Sequence, residues 1–442
     1  MRAPIDRRDF LKGSASLAAS LAALGVSQSS EAAEDDKPSN EKSSANDTVR
    51  LAVIGVRGRG REHVQGFTRL KDVKITTICD VDPGVIGPAM EAVNKRNGSE
   101  PKFVQDLRRV FDDKSIDAVS IATPNHWHSL ATIWAVQAGK DVYVEKPVSH
   151  NIFEGRKMVE AARKYRRIVQ TGTQCRSNKG IQDAVEFLRS GGLGTVYLAR
   201  GLCYKRRDSI GHKPDGPVPK GVDYSLWLGP AAEKPFNPNS FHYNWHWFWD
   251  TGNGDLGNQG IHQMDIARWG LGKNEFPKTV MASGGRFGYT DDGQTPNTLN
   301  VSFDFDDSLL EFEVRGLPTN AEAGAKVGVL FYGTKGVLSI TSYSDWQTYL
   351  GHDGAKGPGG KGGGDHFANF VAGVKARDCK KLHADIEEGH LSSSYCHLGN
   401  IAYRLGRKLH INPTTESFVN DRAADAMLTR EYRAPFVVPK NV

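Results

Sequence analysis

A short apolar strand that leads directly into a glycine-rich turn and a helical stretch constrains the fold of this chain more than any other feature. Val49–Ile54 is a mainly apolar run of the kind that forms buried parallel strands. The turn contains Gly55, Gly58 and Gly60, and the helical stretch extends through Leu70. Glycines let a backbone turn tightly against a pyrophosphate, and the N–H groups at a helix N-terminus bind that anion. This order predicts a dinucleotide-binding α/β unit.

The charges around the turn bear on which dinucleotide it binds. We predict that the phosphates contact the turn residues Gly55, Arg57, Gly58, Arg59 and Gly60. Asp80 ends the next predicted strand, twenty positions after Gly60, where an acid can accept hydrogen bonds from ribose hydroxyls. Because Asp80 would repel a 2′-phosphate, we expect NAD. Arg57 replaces the usual second glycine, and with Arg59 it would attract that phosphate, so NADP stays an alternative.

Strands and helices continue to alternate along the chain. Strands are predicted at Lys74–Cys79, Ala118–Ala122, Asp141–Val144 and Ile168–Thr171, and helices at Asn125–Ala138 and Phe153–Arg166. This alternation indicates a doubly wound parallel sheet, an α/β domain of the Rossmann type, which we place in residues 49–170. A chain of 442 residues is long enough for two domains. Residues 171–442 form the predicted second domain, with strands at Val196–Leu202, Thr298–Phe305, Leu309–Val314 and Gly336–Thr341.

The N-terminal segment predicts export. Arg7 and Arg8 begin a twin-arginine pattern, and the apolar run Ala15–Val26 is shorter than the roughly 20 residues that span a bilayer. Small residues around Ala32 and Ala33 suit a signal peptidase. We therefore predict a signal peptide at 1–33, a disordered linker at 34–48 and a periplasmic protein without a stable membrane anchor.

Composition argues against several other classes. The chain has 57 basic and 51 acidic residues without long blocks of like charge, which disfavours nucleic-acid binding. Its five cysteines are widely spaced and form no Cys-x-x-Cys, which disfavours a disulfide framework or a zinc ribbon. His126 and His128 flank Trp127 with no further ligand nearby in sequence. We expect them to be cleft and packing residues, and we predict no metal site.

Two stretches carry a more specific signature, Ala122–His128 and Ala138–Pro147, the second ending in Glu-Lys-Pro. With the glycine turn, they resemble the Gfo/Idh/MocA family, which is named after glucose–fructose oxidoreductase and inositol dehydrogenase. The resemblance implies a C-terminal α+β domain with a large, mostly antiparallel sheet. One face of that sheet would help to cover the active site, and the other would serve subunit contacts in a homo-oligomer.

The resemblance also assigns roles to individual residues. Lys146 is implied to contact substrate and nicotinamide, where a cation can stabilise a developing alkoxide and transfer a proton. The cofactor cleft is implied to be lined by Thr123, Pro124, Asn125, His128 and Glu145, together with Lys146 itself.

Gly252–Trp269 resembles the family's glycine-rich segment leading into a catalytic helix, in which an Asp and a His stand four residues apart on one face. His262 matches the histidine that acts as general acid or base, but the Asp position holds Asn258. An asparagine can orient an imidazole, yet it cannot stabilise an imidazolium by charge. Asp265 or Asp255 could supply the missing acid.

Other segments are candidates for the substrate side. The aromatic cluster Phe241–Trp249, in which we single out Trp245, could stack on a sugar ring, or it could belong to the core or a subunit interface. The resemblance places Arg176 and His366 near substrate. Residues 351–364 are rich in glycine and predict neither helix nor strand, which leaves a lid or a flexible connection. A helix is predicted from Asp365 through Val374.

We therefore expect an exported NAD(P)-dependent oxidoreductase that transfers a hydride from a sugar, polyol or related alcohol. Free nicotinamide cofactor should be scarce outside the cytoplasm, so we expect the protein to retain its cofactor. The alternative is a glycoside-cleaving enzyme that oxidises its substrate transiently, eliminates the glycosidic oxygen and then reduces the product. A third possibility is a binding protein without turnover, which Asn258 motivates and which Lys146 and His262 argue against.

Overall fold

The computed structural model describes residues 48–442. The predicted signal peptide and nearly all of the predicted linker lie outside the described residues. In the described part of the chain, no helix is long and apolar enough to cross a membrane.

Six parallel strands form the first sheet, in the order β3-β2-β1-β4-β5-β6. These strands are β1 Val49–Ile54, β2 Val73–Cys79, β3 Lys102–Val104, β4 Ala118–Ile121, β5 Asp141–Val144 and β6 Val169–Thr171. The helices between them are α1 Arg59–Thr68, α2 Gly87–Asn97, α3 Leu107–Asp112, α4 Asn125–Gln137 and α5 Ile152–Lys164. Every residue of β4 and β5 is buried, because helices cover both faces of the sheet. The predicted doubly wound sheet is confirmed.

The strand order reverses between β1 and β4, and this point decides where a ligand can bind. Strands on the two sides of such a point have connections that run in opposite directions, which leaves a crevice at their carboxyl ends. Gly55 follows β1 at this edge and Thr123 follows β4.

Ten strands form the second sheet, in the order β14-β13-β12-β11-β7-β10-β9-β8-β15-β16. They are β7 Val196–Cys203, β8 Thr279–Gly285, β9 Thr298–Asp304, β10 Leu309–Arg315, β11 Val327–Gly333, β12 Gly336–Ile340, β13 Asp345–Leu350, β14 Ala355–Lys361, β15 Leu409–Asn412 and β16 Ser417–Phe418. The accompanying helices are α6 Lys179–Arg189, α7 Tyr224–Leu228, α8 Gly254–Asn258, α9 Gly260–Leu271, α10 His366–Ala376, α11 Ile386–Leu405 and α12 Arg422–Asp425. Only β7 and β10 pair in parallel, so the mostly antiparallel sheet is confirmed.

One face of this sheet is packed and the other is open. Helices α6, α9 and α11 cover the packed face, where Phe303, Phe312 and Phe331 are almost fully buried. Strand β10 alternates between buried and partly exposed side chains, as expected for a sheet with one solvated face. This packing places α9, which begins at Gly260, between the second sheet and the carboxyl edge of the first.

The prediction that residues 351–364 contain no regular structure is wrong. Ala355–Lys361 forms β14, which pairs with β13 so that Leu350 lies opposite Ala355. Gln347 and Thr348 also donate side-chain hydrogen bonds to carbonyl oxygens of the glycine-rich strand. The neighbouring strand supplies the pairing that the local sequence does not specify.

The predicted helix after Asp365 is confirmed as α10, and it packs against the first sheet. Phe370, Val371 and Val374 belong to the same buried cluster as Val49 and Leu51. A segment close to the C-terminus therefore completes the core of the N-terminal sheet, and the domain boundary at 170/171 stays a prediction.

Candidate active site

A cleft of about 620 Å³ opens at the carboxyl edge of the first sheet, where the second domain faces it. The sequence-predicted residues that line it are Gly55, Arg57, Gly58, Arg59, Asp80, Thr123, Pro124, Asn125, His128, Glu145, Lys146, Trp245, Asn258 and His262. Their positions in the sequence are far apart, and the crevice between β1 and β4 brings them together.

The glycine turn is packed so closely that two of its positions admit no side chain. A Cβ on Gly60 would lie 1.9 Å from the carbonyl oxygen of Gly55, and one on Gly55 would lie 2.8 Å from the carbonyl oxygen of Ala122. Gly55 also has a φ of 81°, in the region that favours glycine. Gly60 lies behind the turn and supports it, while α1 begins at Arg59 and presents its free N–H groups. The turn fits the pyrophosphate of a dinucleotide.

Asp80 lines the cleft beyond the glycine turn. Its carboxylate accepts hydrogen bonds from the backbone N–H groups of Val56 at 2.9 Å and Asp82 at 3.0 Å. Burial raises the pKa of Asp80 to about 6, although these two hydrogen bonds favour the ionised form. An acid held by the backbone at this position fits the hydroxyls of an adenosine ribose.

Glu145 connects the end of β5 to the glycine turn. Arg59 Nε donates to Glu145 Oε1 at 2.8 Å, and His63 Nε2 lies 2.9 Å from the same oxygen. Burial opposes ionisation, but the charge of Arg59 and the contact with His63 hold the pKa of Glu145 well below its usual range. Glu145 is therefore ionised, and Arg59 balances its negative charge. Its other oxygen accepts a hydrogen bond of 3.2 Å from the backbone N–H of Lys146.

Lys146 follows Glu145 and crosses towards the second domain. Its Nζ donates a hydrogen bond of 2.9 Å to the backbone carbonyl of Asn258. Burial lowers the pKa of Lys146 from its ordinary value, partly offset by the charge of Glu145. Asn258 thus holds the lysine through its main chain, a contact that does not depend on its side chain. Among residues 48–442, no hydrogen bond joins Asn258 to His262.

His262 lies in the first turn of α9, with 5% of its surface exposed. Its Nδ1 is buried and has no hydrogen-bond partner in the described part of the chain. Burial, and then the charge of Lys146, lower the pKa of His262 well below its ordinary value of 6.5. The imidazole is therefore neutral at pH 7. Lys146 and His262 line the same cleft.

Three residues that we expected in the site do not line this cleft. The Asp265 carboxylate, 1% exposed, accepts hydrogen bonds from Arg176 Nε at 2.8 Å and from Ser392 Oγ at 2.7 Å. Arg176 is consequently held in the core beneath α9. His366 binds the backbone oxygen of Thr171 through Nε2 at 2.7 Å and borders a separate, adjoining pocket. Asp265 and Arg176 pair with each other in the core, and this pairing directs both side chains away from the cleft. The spacing of residues along α9 does not reveal it.

Asp255, the other candidate for the missing acid, is also committed elsewhere. Arg207 donates to both of its carboxylate oxygens, at 2.6 and 2.7 Å, and the aspartate is almost fully buried. Neither aspartate is therefore free to pair with His262.

Sequence reasoning missed several residues that line the cleft, namely Gln174, Lys205, Trp227, His242, Tyr243, His246, Gln259 and Tyr343. Among them, His242 Nε2 lies 2.7 Å from Asp82 Oδ2, which joins the second domain to the loop after β2. Only the aromatic cluster Phe241–Trp249 gave a signal in the sequence. Of the others, Trp227 lies in α7 and Gln174 in a short 3-10 helix, while Lys205, Gln259 and Tyr343 lie between elements. No recognisable spacing relates them.

Fold and cleft together define an α/β protein with a Rossmann-type parallel sheet, a second, mixed sheet and a cleft that fits a dinucleotide. The family model described as "Oxidoreductase family, NAD-binding Rossmann fold" matches residues 49–173. The companion model, "Oxidoreductase family, C-terminal alpha/beta domain", matches residues 202–294 and 363–438. These segments cover more than half of the chain, and the chain belongs to the Gfo/Idh/MocA oxidoreductase family. Residues 4–24 match the signal sequence of the twin-arginine translocation pathway, so the predicted export signal is confirmed.

Individual relatives are more distant. A glycosyl hydrolase family 109 protein of Saccharopolyspora erythraea is 26% identical over 57% of this chain and 52% of its own length. An alpha-N-acetylgalactosaminidase of Shewanella oneidensis is 31% identical over 36% of this chain and 37% of its own length. The chain thus spans about half or less of the curated relatives that it matches. The solved structure of levoglucosan dehydrogenase in complex with NADH and L-sorbose has the same fold, with 16% identity, a TM-score of 0.63 and coverage of 83% of this chain and 99% of its own.

Proposed function

We propose that this protein is an NAD-dependent oxidoreductase that acts on a hydroxyl group of a sugar, a polyol or a related alcohol. The observation that carries the proposal is the shared cleft, in which a neutral His262 and the ammonium of Lys146 stand beyond the glycine turn. A proton acceptor and a cation beside one hydroxyl are the groups that alcohol oxidation needs.

The cleft fits a nicotinamide dinucleotide from end to end. The closely packed turn at Gly55 and the start of α1 suit the pyrophosphate, and Asp80 suits the ribose hydroxyls. An ionised Asp80 would repel the 2′-phosphate of NADP, so we assign NAD. The bound nicotinamide supplies the hydride acceptor, and in the reverse direction the donor.

The protein groups handle the proton and the developing charge. His262 is uncharged and accepts the proton of the reacting hydroxyl. Lys146 donates a hydrogen bond to the oxygen as negative charge develops on it, and the carbonyl of Asn258 holds the ammonium in place. No carboxylate in residues 48–442 orients His262, so Lys146 carries more of the electrostatic stabilisation than it would beside an Asp–His pair.

We further propose that the cofactor stays bound during export. The contact between His242 and Asp82 closes the second domain over the loop after β2, where the adenosine would lie. A protein that folds before export can carry a dinucleotide enclosed in this way to a compartment where free NAD is scarce. A second substrate would then return the cofactor to its starting state.

The test is to purify the protein from the periplasm, denature it and identify the released dinucleotide by mass spectrometry. We expect NAD or NADH in near-stoichiometric amount. Protein that carries no dinucleotide, and that does not bind NAD when it is added, would refute both the cofactor and the proposed reaction.

Glycoside cleavage remains a second candidate, because the curated relatives include an alpha-N-acetylgalactosaminidase. The same cleft could oxidise a ring hydroxyl, support elimination of the glycosidic oxygen and reduce the product again. Chromogenic glycosides distinguish the two functions. A hydrolase releases the aglycone with no net change in nicotinamide absorbance, whereas an oxidoreductase yields an oxidised sugar.

We also propose that the open face of the second sheet joins two copies of the chain. Met281 is 55% exposed there, and Arg200 forms ion pairs with Glu311 and Glu313 on the same face. An exposed apolar residue within a charged, ordered surface suits a self-complementary interface. Analytical ultracentrifugation of the wild type and of Met281→Glu tests this, with dissociation expected for the variant.

A further inference from the structure

Two lysines, Lys146 and Lys205, line the cleft that contains His262. Lys146 Nζ donates to the carbonyl of Asn258 at 2.9 Å, and Lys205 Nζ donates to the side-chain oxygen of Gln259 at 3.1 Å. Both acceptors are neutral amide oxygens. In residues 48–442, neither lysine forms an ion pair.

The carboxylates nearest to these lysines are already neutralised. Glu145 is paired with Arg59 and contacts His63, while the exposed Glu62 pairs with the same arginine. Asp255 is held by Arg207. Two arginines are set against these three carboxylates, so with Lys146 and Lys205 the group carries one net positive charge.

Several uncharged polar groups line the cleft together with Lys205. Gln259 directs its amide nitrogen to the hydroxyl of Tyr343, and Gln174 lines the cleft close by. A single ammonium flanked by amides and a phenol can satisfy one negative charge. Protein sites for a phosphate dianion usually gather several donors, such as arginine forks or successive backbone N–H groups. The two arginines that follow Lys205, Arg206 and Arg207, are already paired with Asp208 and Asp255.

We propose that the substrate is a sugar acid whose carboxylate binds Lys205 while its reacting hydroxyl lies between Lys146 and His262. This inference rests on the proposed oxidoreductase function and specifies its substrate class. The hydroxyl carbon gives a hydride to NAD⁺, the hydroxyl proton goes to His262, and the products are a keto acid and NADH. Lys205 lies at the end of β7 and is exposed, so it can receive the carboxylate as the substrate enters.

The experiment compares matched pairs of neutral and acidic sugars on protein loaded with NAD. The pairs are glucose with glucuronate and gluconate, galactose with galacturonate, and mannose with mannuronate. We expect at least one acid to exceed its neutral partner about tenfold or more in kcat/KM, because a charge-assisted hydrogen bond contributes on that scale. Calorimetric titration of the same compounds into NADH-loaded protein measures binding without turnover.

Lys205→Met is the variant that tests the residue, and Lys220→Met is its control. Lys220 is an exposed lysine on the same segment that does not line the cleft. Lys205→Met should lose about tenfold or more in kcat/KM for the preferred acid, with little change for neutral sugars or for NAD affinity. Lys220→Met should behave as the wild type.

The outcomes separate this inference from the proposed function. If NAD binds and neutral sugars react as well as their acids, the oxidoreductase stands and the acid specificity is refuted. If an acid is preferred but Lys205→Met leaves that preference intact, the assignment to Lys205 is refuted. If NAD does not bind at all, the proposed function fails with everything that rests on it. If NADH-loaded protein binds no acid in preference to its neutral partner, the inference is also overturned.

Discussion

Asp265 provides the sharpest test of how the structure assigns roles, because sequence reasoning placed it in catalysis and the structure places it in the core. It is 1% exposed and accepts three contacts, two from Arg176 Nε at 2.8 and 3.0 Å and one from Ser392 at 2.7 Å. Arg268 lies 4.0 Å away and pairs with Glu388. The two arginines and the two carboxylates balance, so Asp265→Asn would leave one buried positive charge uncompensated.

The expected cost of that substitution is large. Removing one partner of a buried ion pair typically lowers the free energy of unfolding by about 3–5 kcal/mol, because the remaining charge cannot be resolvated. The asparagine keeps one acceptor oxygen for Arg176 or Ser392, which places the expected loss nearer to 3 kcal/mol than to 5 kcal/mol. Turnover by the protein that remains folded should change little, because the carboxylate does not line the cleft.

The assay is urea unfolding followed by tryptophan fluorescence, combined with kcat measured well below the unfolding transition. Asp353→Asn, at an exposed turn between β13 and β14, is the matched control and should unfold as the wild type does. The double variant Arg176→Met/Asp265→Leu should recover part of the lost stability, because it removes both charges. If Asp265→Asn unfolds at the wild-type urea concentration and yet loses most of its turnover, Asp265 is catalytic and the structural assignment is wrong.

Lys146→Met should lower kcat by about 10²–10⁴-fold, because the cation that stabilises the developing alkoxide is lost. The variant should still bind NAD, as its dinucleotide content would show. An unchanged kcat would contradict the role proposed for Lys146. Gly60→Ala should weaken NAD binding about tenfold or more in a calorimetric titration, because the added Cβ would lie 1.9 Å from the carbonyl oxygen of Gly55. Gly87→Ala, which meets nothing within 4 Å, is its control and should bind NAD normally. Burial keeps the pKa of His262 well below 6.5, so the imidazole stays neutral across the neutral pH range. We therefore expect that kcat/KM for alcohol oxidation falls through protonation of His262 only when the pH is well below 6.5. If the pH profile instead falls at pH 6.5 or above, and His262→Gln abolishes that fall, the histidine titrates normally and the prediction is wrong.

Local patterns predicted the N-terminal sheet closely. Strands β1 and β5 have the predicted bounds, and β4 ends one residue early at Ile121. These strands are buried on both faces, so a continuous apolar run identifies them without knowledge of their neighbours. Strand β14 was missed for the opposite reason. Its glycines and lysines have no intrinsic preference for a strand, and only pairing with β13 orders them.

The candidate site also has one part that local patterns predicted and one part that they did not. The part of the cleft that we propose for the dinucleotide, from Gly55 to Lys146, could be located because each of its residues follows a strand of a recognisable sheet. The substrate end was predicted only in part. Lys205, His242 and Tyr343 reach the cleft from loops that are distant in sequence, and no spacing relates them to Lys146.

Local patterns in the sequence were enough to specify the dinucleotide turn, the alternation of strands and helices, and the export signal. These features depend on residues close together in the chain or on motifs of fixed spacing. Which charges face the cleft depends instead on packing between elements that are distant in the chain. Asp255 and Asp265 stand near His262 in sequence, yet arginines from other elements bind both of them in the core. A buried carboxylate must be paired, so the position of its partner in space, rather than its distance along the helix, directs its side chain.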